Sequence, residues 1–336
     1  MKLLTKHLLL TGLLLSLSLG IAQEATEEKT LPTFTLSGSV DTYFRYNFSK
    51  DQRQAPASSF ANSPGFALGM ANLIVSHEGA RSGFVADLVF GPRGNDAVFM
   101  STLGSNPIVN QLYAYFMVGE HTTLTLGNFN TFLGYEVISP VANFNYSTSY
   151  LFSYGPFSHT GIKADFTLND DWSLMLGVFN PTDLTEFNPT DEYLLGLQVG
   201  FYGQYINLLS GMGQFQIDYT GGLSLTDNFY LGINASSYDS GENSGFAGIA
   251  LYPQYQTSET FSIGLRFEAF ADDQYVFDSP NTDNTALTLT GNYSKGNFLL
   301  KPEIRIDSAS ESLFVGQGLT PTKNLSSFVL AAIYAF

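Results

Sequence analysis

The sequence has no cysteine, a single tryptophan and little charge, with Asp, Glu, Lys and Arg making up 13% of the chain. Without cysteine there is no disulfide framework, no zinc ribbon and no thiol nucleophile. Soluble domains usually carry roughly 25% charged residues, so part of this surface is expected to meet something other than water. Basic residues are the scarcest: 14 Lys+Arg against 30 Asp+Glu give a formal net charge of −16. A chain with no basic stripe to neutralise phosphates has no nucleic-acid partner. Long hydrophobic runs are also missing. Beyond residue 22 no stretch offers 18 consecutive apolar residues, so no later segment is a spanning helix.

What is present is apolar and aromatic: 44% hydrophobic residues, with 29 Phe and 19 Tyr, too many for an acidic disordered chain. At the start, Lys2 and Lys6 precede an apolar run from Leu8 to Ala22 that closes on Gly20-Ile21-Ala22. A basic start, a short apolar core and small residues before the cut describe a secretory signal peptide over 1–22. The run falls short of the roughly 20 residues that a membrane anchor needs. Residues 23–32 read as a short polar lead-in, and 33–336 as one domain.

Within that domain the pattern has period two. Phe261, Ile263, Leu265, Phe267 and Ala269 alternate with Ser262, Gly264, Arg266, Glu268 and Phe270, and Leu300, Pro302, Ile304 and Ile306 with Lys301, Glu303, Arg305 and Asp307. Helical periodicity is hard to find, so the chain is all-β. Short polar connections such as Gly119-Glu120-His121, Asn169-Asp170-Asp171 and Lys295-Gly296-Asn297 alternate with longer ones at 49–64, 91–107, 131–157, 181–190, 239–243, 272–283 and 309–324. Tight turns at one end and larger loops at the other mark a transmembrane antiparallel β-barrel. Strands are expected at 33–47, 65–78, 83–90, 108–118, 122–130, 158–168, 172–180, 191–201, 204–210, 214–225, 229–238, 244–256, 260–271, 284–294, 298–308 and 325–336. These make sixteen. The segment 204–210 has no clear turn before it, and without it the count drops to fourteen.

The last strand places Phe328, Leu330, Ala332, Tyr334 and Phe336 on one face. A terminal Phe with alternating apolar partners is what the barrel insertion machinery reads in outer-membrane barrels, so Phe328, Tyr334 and Phe336 are the candidate assembly signal.

Gly127-Asn128-Phe129, Phe132-Leu133-Gly134-Tyr135-Glu136, Asn145-Tyr146-Ser147 and Ser149-Tyr150-Leu151-Phe152 are followed by His159-Thr160-Gly161, Tyr205-Ile206-Asn207, Arg266-Phe267-Glu268 and Pro302-Glu303-Ile304-Arg305-Ile306-Asp307. On these segments the chain resembles the OmpL-like (porin-2) β-barrel porins of Gram-negative outer membranes. The resemblance covers nearly all of 34–336 and is most specific over 127–161. It implies a passive pore for small hydrophilic solutes or ions and says little about which solute.

In such a barrel the polar parity faces a water-filled lumen and the apolar parity faces outer-membrane lipid. Asp41, Arg45, Lys163, Asp165, Arg266, Glu268, Lys301, Glu303, Arg305 and Asp307 are therefore the candidate lumen charges. Charges of both signs there set a transverse field and an ion preference. The competing reading is salt bridges that only stiffen the wall. In general porins of sixteen strands the loop after the fifth strand folds inward, and by that similarity Tyr135, Glu136, Asn143, Asn145 and Tyr146 are candidates for a constriction. The alternative is a loop packed over the rim. Acidic residues such as Asp272, Asp273, Asp278 and Asp283 are assigned to loops, where they repel anions or meet divalent ions. The domain holds only His77, His121 and His159, placed so that they make no nucleophile–base pair, and an enzyme is not expected. No cofactor or metal site is expected either. Sixteen-stranded general porins are usually trimers, which makes a homotrimer an expectation by similarity. An adhesive or structural barrel, whose external loops bind a partner, is the alternative function.

Overall fold

A computed structural model describes residues 34–48, 60–99, 108–277 and 281–336. The signal peptide and lead-in read at 1–32, parts of the connections 49–64 and 91–107, and Asp278 lie outside the described residues.

The chain climbs and descends in order through β1 (Phe34–Asn47), β2 (Gly65–Glu78), β3 (Ser82–Phe90), β4 (Val109–Met117), β5 (Thr122–Asn130), β6 (Ser158–Thr167), β7 (Trp172–Phe179) and β8 (Leu194–Phe201). It continues through β9 (Gln204–Gly211), β10 (Gln214–Thr226), β11 (Phe229–Asp239), β12 (Gly245–Ser258), β13 (Phe261–Asp273), β14 (Thr282–Lys295) and β15 (Phe298–Ala309). A two-residue ladder, β16 (Phe314–Val315) and β17 (Pro321–Thr322), precedes the final strand β18 (Asn324–Ala335). β1 to β15 pair antiparallel with their sequence neighbours, and β18 pairs with both β15 and β1. Sixteen strands thus close a barrel with no free edge, which is the way a sheet satisfies its backbone in lipid.

The expected segments fall within a few residues of these strands. Fourteen is excluded by the 204–210 segment. Phe201 pairs with Gln204 across Tyr202-Gly203, and both turn residues have positive φ (49° and 74°). That is the backbone of a two-residue hairpin whose twist matches its strands, with a tyrosine where Asn or Asp is usual. The same turn recurs at Met212-Gly213 (φ 55° and 77°), joining β9 to β10 at the end where every other connection is longer. The alternation of short and long connections therefore has one exception.

The period-two pattern sets the faces. Phe34, Leu36, Phe66, Leu68, Leu126, Leu195 and Ile306 point outward, and Phe66 is 90% exposed, the position of a side chain meant for lipid. Phe34, Phe116, Trp172, Tyr255, Phe298, Tyr334 and Phe336 gather at the short-turn end as an aromatic girdle. On β18, Phe328 and Tyr334 keep to the outward parity, which Phe336 continues just past the strand's end, with Ile333 and Val329 buried on the other.

Candidate functional site

The register of five neighbouring strands builds a charged inner wall. Arg266 on β13 pairs with Thr288 on β14, which pairs with Arg305 on β15, then Ser327 on β18 and Asn47 on β1. Two residues along each strand, on the same face, lie Glu268, Asp307 and Arg45. The spacing of two therefore brings base and acid together: Arg266 Nε donates to Glu268 Oε1 at 2.7 Å, and Arg305 Nε to Asp307 Oδ1 at 2.8 Å. All of these side chains are buried. A buried ion needs a full set of hydrogen bonds to offset its lost hydration.

That set comes from the connection 131–157, which lies inside the barrel against this wall. Arg266 Nη1 donates to Glu136 Oε1 (2.7 Å) and to the carbonyl of Ser147 (2.5 Å), and Nη2 to the carbonyl of Thr148 (3.1 Å). Arg305 Nη1 donates to the Thr148 carbonyl at 2.6 Å. Glu303 accepts from the amides of Tyr146 (2.8 Å) and Ser147 (3.1 Å), and Glu268 from the amide of Tyr150 (2.7 Å). The hydroxyl of Tyr146 donates to Asp41 on β1 (2.5 Å) and that of Tyr150 to Asp307 (2.9 Å). Burial, then the neighbouring Asp41 carboxylate, push the Tyr146 hydroxyl well above its ordinary pKa, so it holds its proton for that bond. Lys301 points its ammonium at the carbonyls of Pro140 (2.9 Å), Asn143 and Phe144 (3.5 Å).

The loop's own residues shape it for this fit. Asn143 accepts from the Val137 amide at 2.8 Å and donates to the Val137 carbonyl at 2.5 Å, closing a tight internal turn. Ser149 caps the short helix Tyr150–Tyr154 by accepting from the Phe152 amide, and its own amide donates to Glu136 Oε2 at 2.6 Å. Asn145 donates to Thr290 on β14 at 2.7 Å.

The first residues of the loop meet a different surface. Thr131 Oγ1 lies 2.9 Å from His159 Nε2 on β6. Phe132 packs against His159 and Phe179, with ring centroids 5.1 and 5.8 Å away. Leu133 is buried with Phe129, Met175, Phe179, Leu194 and Leu209. The wall here makes room with glycine: a Cβ on Gly196 would sit 2.4 Å from the Phe179 ring and 2.9 Å from that of Phe132.

A second segment also folds inward, and nothing in the sequence pattern announced it beyond Pro92 at the first helical position. The short helix Pro92–Ala97 follows β3. Its Arg93 donates to the carbonyls of Ile138 (3.0 Å) and Tyr146 (3.2 Å). The guanidinium also lies over the rings of Phe60 (4.5 Å) and Tyr146 (5.2 Å). Arg93 is absent from the sequence-derived candidates, because a lone arginine in an irregular connection carries no periodic signal.

The structure brings Glu136, Asn143, Asn145, Tyr146, Asp41, Arg266, Glu268, Lys301, Glu303, Arg305 and Asp307 into this one buried network, with Tyr135 on its flank; Arg45 is buried nearby on β1, donating to Asn47 and to the Ala61 carbonyl. Lys163 and Asp165 are separate: they pair with each other at 3.0 Å on β6, partly exposed. The assignment of Asp272, Asp273 and Asp283 to loops needs correcting. Asp272 and Asp273 end β13 and Asp283 begins β14. Asp272 is buried and accepts from the amides of Val276 (2.9 Å) and Phe277 (3.0 Å), so it fixes the following turn. Among the described residues no group of three or more His, Asp or Glu converges to hold a metal ion.

Comparisons with known proteins agree with this architecture. A family model described as "Putative beta-barrel porin-2, OmpL-like" matches residues 33–336. No curated protein matches the chain. Among solved structures, the outer membrane channel DcaP of Acinetobacter baumannii superposes with a TM-score of 0.60 at 11% identity, covering 94% of this chain and 100% of that one. The anion-selective porin from Comamonas acidovorans gives 0.59 at 12% identity, covering 91% and 100%. The trimer form of OmpT from Vibrio cholerae gives 0.57 at 12% identity, covering 90% and 99%.

Proposed function

Because the chain belongs to the OmpL-like beta-barrel porin-2 family of outer-membrane channels, we propose that it lets small hydrophilic solutes and ions diffuse passively across the outer membrane, with the inner loop 131–157 as its constriction. The observation that carries this reading is the anchoring of that loop. Ten charged side chains around it, Asp41, Glu136, Glu268, Glu303 and Asp307 with Arg45, Arg93, Arg266, Lys301 and Arg305, are all buried. Most of those on the wall are satisfied by the loop's own backbone and hydroxyls, so the loop is part of the wall rather than a flap over the rim. A fixed narrowing with both signs of charge packed behind it is one way a wide barrel gains selectivity. The balance of five acids and five bases supports weak ion preference in spite of the chain's net charge of −16. On this reading the pairs stiffen the wall and anchor the loop, and their mixed signs set the transverse field beside it.

Three other roles follow from the same reading. Residues 1–22 act as the export signal. Phe328, Tyr334 and Phe336 are the assembly signal read by the insertion machinery. By likeness to the OmpT trimer the pore assembles as a homotrimer. Single-channel recording in planar bilayers tests the proposal: discrete steps are expected, and their absence would favour the adhesive or structural alternative. Reversal potentials in a salt gradient should shift toward anions in Glu136→Gln, which frees Arg266 from one acid. An unchanged selectivity and conductance would remove Glu136 from the constriction.

A further inference from the structure

A cavity of about 380 Å³ opens beside the inner loop, within the size range of small-molecule sites. Its wall is formed partly by the loop and partly by β12, β14 and β15. Two features of its lining bear on what it would take. The first is aromatic. Tyr135 stacks on Tyr252 with ring centroids 4.3 Å apart and planes 24° apart, and Phe144 presents a second ring. Both loop rings fit because the wall has glycines behind them: a Cβ on Gly232 would lie 2.5 Å from Tyr135 Oη, and one on Gly264 2.5 Å from the Phe144 ring.

The second feature is amide-rich and electrically quiet. The charges that touch the cavity are already committed. Glu136 is held by Arg266 and by the Ser149 amide, and Lys301 by three loop carbonyls. What remains is amide. Gln254 Nε2 reaches Tyr135 Oη at 3.4 Å, Asn292 Nδ2 donates to the Phe144 carbonyl at 2.9 Å, and Asn145 Nδ2 to Thr290 Oγ1. Each of these side chains keeps an oxygen that accepts no hydrogen bond from the described residues. Amides offering both donors and acceptors, next to ring faces and without a free charge, match a ligand that has hydroxyls on its edge and C–H groups on its face.

We propose that this cavity is a binding subsite for an uncharged polyhydroxylated solute of the sugar class, on the path past the inner loop. The inference rests on the pore reading and narrows its solute. Maltose added to the full-length protein in planar bilayers is the probe. The expected result is interruptions of the open current that become more frequent with maltose concentration, with no response to gluconate. In Gln254→Ala and Asn292→Ala the apparent affinity should fall about tenfold, the effect of losing one good hydrogen bond. Heat-modifiable migration on gels reports that each variant is folded. An open channel indifferent to maltose would overturn the subsite and leave the pore standing, and a stronger block by gluconate would overturn the uncharged class. If no channel steps form, the pore reading fails. Saturation-transfer NMR of maltose with the folded protein in detergent then decides the site: transfer supports it, and none overturns it.

Discussion

The two inner walls grip the same loop by opposite means. On β13 and β15, arginines and carboxylates reach the loop's backbone at 2.5–3.1 Å, and Asp41 on β1 accepts from the Tyr146 hydroxyl. On β5 to β9, Phe129, Met175, Phe179, Leu194 and Leu209 bury Leu133, and glycine leaves space for Phe132. The apolar grip is non-directional: it favours contact but tolerates sliding. The charged grip is directional, and every misplaced atom strands a buried ion. One loop is thereby both held and aimed. Rings keep its root in the barrel, and ions fix where Glu136 to Tyr150 sit.

Breaking the charged grip should have the largest effect. Arg266→Ala leaves Glu136 and Glu268 without their shared partner, at a cost of about 3–5 kcal/mol. Urea unfolding followed by fluorescence of the single tryptophan, Trp172, measures the loss, and the released loop should alter single-channel conductance. Combining Arg266→Met with Glu136→Gln and Glu268→Gln should restore most of the stability, since a neutral trio strands no ion. If it restores nothing, the ion network is not what the single variant broke.

Breaking the apolar grip should cost less. Leu133→Ala removes a buried side chain from a loop that has some freedom to close over the gap, for about 2 kcal/mol. It should leave reversal potentials unchanged, because Glu136 keeps its ionic anchor. A selectivity change as large as that of Arg266→Ala would erase the distinction between the walls.

Much of this is legible in the chain itself. Period two sets which residues share a face, so Arg266 and Glu268 on one strand, and Lys301, Glu303, Arg305 and Asp307 on another, group together from the sequence alone. The same pattern could not say which strand's charge would meet which loop atom, because that depends on register and on the path of an irregular segment. Tyr146 meeting Asp41 and Arg93 meeting Ile138 join residues 105 and 45 positions apart in sequence. The apolar wall is less legible still: period two puts Met175 and Phe179 on one face of β7 but does not say that this face is the inner one. At β9 to β10, Met212 and Gly213 carry the turn that the expected rhythm of long loops left out.

The smallest effect concerns where the loop leaves the lumen. Asp183, in the connection after β7, accepts from the amides of Phe157 (2.8 Å) and Ser158 (2.9 Å). Burial pushes its carboxyl up to about 6, opposed by those two bonds. A folded-state value above the ordinary carboxyl range means that the folded state holds the proton longer, so stability should fall as pH rises toward about 6. Asp183→Asn keeps an acceptor oxygen and should flatten that dependence. An unchanged slope would assign it to another group.

If the loop lies in the conduction path, a thiol placed on it reports directly on the current, and the chain has no native cysteine to interfere. Ala142 is exposed on the loop where it borders the cavity, so Ala142→Cys offers a unique thiol there. A bulky thiol reagent added during single-channel recording should cut the open conductance in one irreversible step, while the cysteine-free parent stays unaffected. Labelling of the introduced thiol, verified by mass, with conductance unchanged would place the loop outside the conduction path.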